Sequence, residues 1–194
     1  MLFKPKRNNP NKLNRIHAKR RGVFLSTELQ LVLAFLGVMV VGYATTMGDS
    51  GAEKLVDDAE KALLQASDEL RRTVGGFGSY ASVDNTDCYD KNIWPSSWLS
   101  ATQDEFTTPF SDNGLTCGSV DTATNRDGIT STGTGKFYTF TFSNVETDQC
   151  NLLVGRVFQN FVEIQVEGTR IDGNDTLKTQ CASGDEVAIT FINR

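Results

Sequence analysis

From Val23 to Ala44 the chain runs for 22 residues with one charged side chain, Glu28. As a helix this run is about 33 Å long at about 1.5 Å per residue, enough to cross the hydrocarbon of a bilayer. Residues 1–22, just before it, hold eight basic groups and no acid: Lys4, Lys6, Arg7, Lys12, Arg15, Lys19, Arg20 and Arg21. The asymmetry places the N-terminus in the cytoplasm and the rest of the chain outside. Three fates are open to such a segment. It can be a secretory signal cut near Gly42-Tyr43-Ala44, a permanent signal anchor, or a helix released from its leader by a cut after Gly22 on the cytoplasmic side.

Two features favour the last. Glu28 is a lone carboxylate in an apolar segment, where it is expensive and usually functional, and a cleavable signal gains nothing from it. Helical periodicity also continues past the apolar run. Ala52, Leu55, Val56, Ala59, Leu63, Ala66, Leu70 and Val74 recur at steps of three and four among Glu53, Lys54, Asp57, Asp58, Glu60, Lys61, Asp68, Glu69 and Arg71. This predicts one long helix, apolar all round at first and amphipathic afterwards, stopped by Gly75-Gly76. Gly48, Ser50 and Gly51 lie between its halves.

A basic leader, Gly22, an apolar stretch with one glutamate and a long half-exposed helix together resemble a type IV prepilin. The resemblance implies that a membrane peptidase cuts after Gly22 and methylates the new terminal amine, on Val23. It implies that Glu28 meets the terminal amine of a neighbouring subunit during assembly. Glu28 is sixth after the glycine where the family has its acid fifth. Gly37, nine residues beyond Glu28, matches a glycine often found there, so the difference is one extra residue before Glu28.

The 194 residues carry 19 basic and 24 acidic groups. Beyond residue 22 the chain keeps 11 basic and 24 acidic groups, a balance of −13. Such a body is a poor ligand for a phosphate backbone, and no direct nucleic-acid contact is expected of it. The single histidine, His17, lies in the leader. The body therefore has no imidazole for a Ser-His or Cys-His pair or for the usual zinc sites, and no enzyme, metal or cofactor is expected.

The body's four cysteines are Cys88, Cys117, Cys150 and Cys181. An even count in an exported body suggests two disulfides, and the absence of CxxC argues against a zinc ribbon or thioredoxin motif. Of the three possible pairings, Cys88–Cys117 with Cys150–Cys181 keeps each loop local and is favoured. Residues 76–135, rich in Gly, Ser, Thr, Asn and Asp, read as a long irregular connection with short elements. Phe137, Tyr138, Phe140 and Phe142 mark a strand. Thr147 is placed to cap a helix from Asp148 to about Asn160, with Leu152, Leu153, Val157 and Phe161 on one face. Val162, Ile164 and Val166 alternate with Glu163, Gln165 and Glu167 as a half-buried strand. Residues 168–184 read as a polar excursion, and Val187 to Ile192 as a closing strand.

Helix, connection, strand, helix, strand, loop, strand is an order that resembles the type IVb pilins, particularly the toxin-coregulated and bundle-forming kinds. Gly76-Phe77-Gly78-Ser79-Tyr80 is similar to the segment that ends their first helix. Thr108-Pro109-Phe110 is similar to their Asn-Pro-Phe turn, and Val145 through Val157 to the start of their second helix. Cys181 with Val187-Ala188 and Phe191 is similar to the end of their fold, where the second cysteine bonds the first. The Cys88–Cys117 pair is extra to that pattern. The resemblance implies an α+β, pilin-like, disulfide-stapled fold, a long N-terminal helix packed on an antiparallel sheet. Its parts would be a removed leader (1–22), the helix (23–75, with a transmembrane and assembly half 23–44) and a globular head (76–194).

Four further features read as turns or packing. Asp172-Gly173-Asn174-Asp175 lacks the spacing and terminal glutamate of a calcium loop. Asn174-Asp175-Thr176 fits a glycosylation sequon, for which a turn is the better reading. Gly133-Thr134-Gly135-Lys136 precedes a strand rather than a helix and is not a phosphate loop. Trp94 and Trp98 read as core or subunit contacts. The function implied is that of a major pilin, polymerising with itself after processing by a prepilin peptidase and the inner-membrane assembly machinery. Such a chain passes from the bacterial inner membrane to an extracellular filament for adhesion, aggregation or conjugation. Alternatives are a minor pilin, a secretion pseudopilin or a signal-anchored binding protein.

Overall fold

The computed structural model describes residues 51–75 and 79–194. The leader, the apolar run 23–44 and the segment Gly76-Phe77-Gly78 lie outside the described residues, and with them Gly22, Val23 and Glu28. The described residues belong to one compact unit.

Helix α1 spans residues 51–73. Val56, Ala59, Ala62, Leu63, Ala66, Ser67, Leu70 and Val74 form its buried stripe, at the three- and four-residue spacing that one face of a helix requires. Ala62 and Ser67 widen the stripe beyond the apolar positions that the periodicity marks. Its opposite face is charged and exposed, with Glu69 and Arg72 paired one turn apart.

The stripe packs on an antiparallel sheet of five strands in the order β1-β2-β5-β3-β4. The strands are β1 (Leu115–Thr124), β2 (Thr130–Glu146), β3 (Glu163–Val166), β4 (Thr169–Arg170) and β5 (Glu186–Asn193). Register sets the two faces, because successive side chains point to opposite sides. Leu115, Phe142, Ile189 and Val166 form one cross-strand row, and Cys117, Phe140, Phe191 and Ile164 the next. Both rows lie in the core with α1. The other face carries the row Thr116, Thr141, Thr190, Gln165 and Arg170, in which the hydroxyls of Thr141 and Thr190 are 2.9 Å apart.

The segment from 79 to 135 contains the short elements expected of it but is more regular than its composition predicts, because it also holds a ten-residue strand and the start of another. It holds α2 (Asn85–Asp90), a 3-10 turn (Ser96–Trp98), all of β1 and the start of β2. Strand β1 is written in Thr, Ser, Gly and Cys because it is an edge strand that buries little beyond Leu115, Cys117 and Ala123. Its partner β2 supplies the aromatic bulk. Gly133 to Lys136 likewise lies within β2 rather than in a turn. Gly135 has a φ of 56°, and a Cβ there would collide with the backbone of Ala81. Its carbonyl accepts from Tyr80 N at 2.6 Å, and its N–H donates to Asp121 Oδ1 at 2.7 Å, beside the register shift at Val120/Thr122. Only glycine accommodates that conformation and that approach.

Two later elements also depart from expectation. Helix α3 (Thr147–Val157) is capped by Glu146 in a reciprocal capping box with Gln149, not by Thr147, and ends before Asn160. Leu152 is half-buried, and Phe161 packs in the core from beyond the helix. The polar excursion contains β4 and helix α4 (Asn174–Cys181). Glu167 leaves β3 for a two-residue turn with Gly168, at φ 50° and 72°. Two positive φ values are what a tight hairpin of the twist-matched kind demands.

One polar bond crosses the core. The hydroxyls of Ser67 on α1 and Tyr138 on β2 are 2.5 Å apart, and both side chains are buried. Burial pushes the Tyr138 phenol up to about 12, against the smaller opposing effect of the Ser67 bond. A phenol whose folded value exceeds its unfolded value near 10 contributes stability that is complete below pH 10. That contribution is lost as pH rises through about 12. Alkaline unfolding of the wild type should therefore remove about 2–3 kcal/mol across this window. In Tyr138→Phe the alkaline slope should flatten, while stability at neutral pH falls by roughly 1–2 kcal/mol, because Ser67 loses its buried partner. Denaturant titrations from pH 7 to 12 measure both.

Candidate functional site

Two disulfides staple the body. Cys88 on α2 is bonded to Cys117 on β1, and Cys150 on α3 to Cys181 at the end of α4. Cys88, Cys150 and Cys181 are inaccessible, and no free cysteine remains among the described residues. The first bond sits under an aromatic cluster. Trp94 stacks on Trp98 at 5.5 Å and meets the edges of Phe140 and Phe142 at 4.7 and 5.8 Å. Its Nε1–H donates to Cys117 Sγ at 3.3 Å. Both tryptophans are thus part of the core. Asn85 secures the same corner, its side-chain oxygen accepting from Cys117 N at 2.7 Å.

The second bond clamps two helices. Thr147, freed from capping, donates its hydroxyl to the Cys181 carbonyl at 2.9 Å, so α3 and α4 are tied at both sulfur and oxygen. Helix α4 has Gly173 as its N-cap, with Thr176 donating to Asp172 Oδ1 at 2.5 Å. That hydrogen bond holds the Asp172 carboxyl below the usual range. Asp172 to Thr176 is therefore a helix start, not a turn, and the acid in the first turn (Asp175) was its legible signal. Among the described residues no three His, Cys, Asp or Glu side chains gather in a way that could hold a metal.

Arg156 is a residue that sequence reasoning missed. It leaves α3 and pairs with Asp57 and Glu60, one turn apart on α1. The hydrogen bond to Asp57 raises the guanidinium above its ordinary value. No local pattern links residue 156 with residues 57 and 60. The pair exists because the fold brings α3 alongside α1.

The β1–β2 hairpin is the second unforeseen feature. Its tip, residues 125–129, reaches the far edge of the sheet. Thr124 N donates to Glu163 Oε2 at 2.5 Å, Arg170 to the Asn125 carbonyl at 3.1 Å, and Arg126 to Gln159 Oε1. Arg126 also lies 5.1 Å over the Phe158 ring. Ala123, Phe137 and Ile192 are thereby buried in a second small core with Val120 and Val162. Glu163 is buried under the tip although alternation assigns it to solvent, its other oxygen accepting from Gln165 at 2.7 Å.

No family model matches the sequence, and no curated protein does. Among solved structures the chain is similar to TcpA, a type IV pilin from Vibrio cholerae El Tor biotype. The TM-score is 0.51 at 16% identity, over 73% of this chain and 99% of that chain. The fold is that of a type IV pilin. It is this overall architecture, and no particular residue, that the described residues share with a known pilin. The likeness spans nearly all of TcpA, so it concerns the whole architecture rather than one motif.

Two expected outcomes follow from the clamps. Cys150→Ser should cost about 3–4 kcal/mol, since the bond closes a loop of 31 residues, and a denaturant midpoint measures it. Arg156→Glu should cost no more than about 1 kcal/mol, as befits a partly exposed pair. That loss should shrink in high salt, where the new repulsion from Asp57 and Glu60 is screened.

Proposed function

We propose that the chain is the structural subunit of a type IVb pilus, a major pilin. The observation that carries the reading is the pilin fold of the described residues, joined in one chain to the leader, Gly22, apolar run and Glu28 that precede them. The precursor waits in the bacterial inner membrane, held by residues 23–44. A prepilin peptidase removes the leader after Gly22, and the inner-membrane assembly machinery lifts the subunit into an extracellular filament. Each subunit's partner is then another copy of itself. The apolar helix passes from lipid to a bundle of its own kind without entering water, so its hydrophobic surface is never exposed.

In lipid the Glu28 carboxylate has no partner. In the bundle the Val23 amine of an adjacent copy supplies one, and removing one member of such a pair costs several kcal/mol. The build of the body as a disulfide-stapled shell supports a structural role. Such a filament serves adhesion, aggregation or conjugative DNA transfer.

Mass spectrometry of surface protein should find a chain that starts at Val23, with a methylated amine. A start at Thr45 would mean ordinary signal cleavage and would sink the reading. Glu28→Ala should be inserted and processed yet yield no filaments by electron microscopy. Wild-type filament numbers from the processed variant would remove Glu28 from the assembly contact.

A further inference from the structure

The hairpin that crosses the sheet leaves a groove of about 300 Å³ beside it. Its floor is apolar, built from Ala123, Phe137, Phe161 and Val162, and its rim carries Arg126, Arg194 and one acid, Asp127. Ile129 stands on the same rim and is 63% exposed, the one large apolar side chain so exposed among the described residues. The ion pairs of the described residues engage Arg72, Lys91, Arg156 and Arg170; neither rim arginine is in an ion pair, although Arg126 donates to Gln159 and lies over the Phe158 ring. In a body of net charge −13, the charged side chains of this rim are two arginines and one aspartate.

The opposite end of the same strand pair is its electrostatic complement. Register sets Glu146 at the end of β2 against Glu186 at the start of β5. With Asp148 and Asp185 they line an open cleft of about 350 Å³ that has no basic residue in its lining. The groove lies at the start of β2 and the end of β5, so the two surfaces lie at opposite ends of one pair of strands.

We propose that the groove beside the hairpin docks a second copy of this chain, through that copy's acidic rim of Glu146, Asp148, Asp185 and Glu186. Two different patches on one molecule make a heterologous contact, which propagates instead of closing on itself. The charges orient and select the neighbour, and Ile129 adds the apolar area. Each contact is small, and its strength comes from repetition along an assembly that already holds the copies close. The inference rests on the reading that this chain assembles with itself, and it assigns the surface by which the bodies meet.

A disulfide trap in the full-length exported chain tests it. Ser131→Cys borders the groove and Asp185→Cys the acidic rim, and the native cysteines of the described residues are already paired. Thiol labelling on the cell surface first verifies that both new cysteines are present and exposed. Mild oxidation should then give the double variant a ladder extending beyond dimer on a non-reducing gel, and each single variant no ladder. Adding Arg194→Glu should collapse the ladder, and Glu186→Lys on top of it should bring the ladder back. Monomer alone from the double variant, in cells whose filaments are visible by electron microscopy, overturns the contact and leaves the pilus reading standing. A ladder without filaments keeps the contact and removes the pilus reading. Monomer without filaments removes both. A ladder indifferent to Arg194→Glu overturns the charge pairing that defines the proposal.

Discussion

The packing of one helical stripe on one face of one sheet is the constraint on which the rest depends. Val56, Leu63, Leu70 and Val74 share one buried core with Phe140, Phe142, Ile189 and Phe191. Full burial of each such side chain is worth roughly 1.5–3 kcal/mol, so the stripe outweighs any single polar bond in the molecule. The alanines at 59, 62 and 66 are equally buried and present little bulk on that stripe. The Ser67–Tyr138 bond sits within this layer and adds direction to it, since apolar packing alone tolerates sliding.

A helix used in this way leaves the sheet to cover its ends by other means. The aromatic corner of Trp94, Trp98 and Phe142 closes one flank, and Cys88–Cys117 keeps α2 from peeling away. The α3–α4 pair closes the other and is held by Cys150–Cys181 and the Thr147 hydroxyl. Staples suit a body that spends a long helix on a single stripe and exposes the rest, because they remove entropy from the unfolded chain and need no further apolar surface. Arg156 adds an electrostatic stay between α3 and α1 at the exposed edge.

The outer face of the sheet follows a different logic. Over most of its area it is a threonine and glutamine face with small cross-strand hydrogen bonds, as expected of an antiparallel sheet open to solvent on one side. At one end, the shift at Val120/Thr122 and the glycine at 135 accompany the hairpin's approach to the strand two places beyond β2, and a second core forms beside it. Bulges and positive-φ glycines re-aim strands in this way.

Much of the architecture was legible from residue order. The periodicity of Val56 to Val74 marked the helix and its buried face, because a helix on a core must repeat near 3.6. Phe137 to Phe142 and Val187 to Ile192 marked the two central strands, because a strand packed beneath a helix needs bulky alternate side chains. Edge elements were not legible. Strand β1 and helix α4 bury few residues of their own and borrow stability from neighbours, so Leu115–Thr124 and Asn174–Cys181 read as loop. The site features that no local pattern announced are those joined across long separations: Arg156 with Asp57, Glu163 with Thr124, and Asp121 with Gly135 across a bulge. By itself the sequence determined the charge asymmetry, the apolar run, the amphipathic helix and the number of staples, since these are properties of composition and spacing along the chain. Only the tertiary structure decided which surfaces stayed open and which polar groups were enclosed. Burial depends on what the fold lays over a residue, and the residue's own neighbours in sequence do not carry that information.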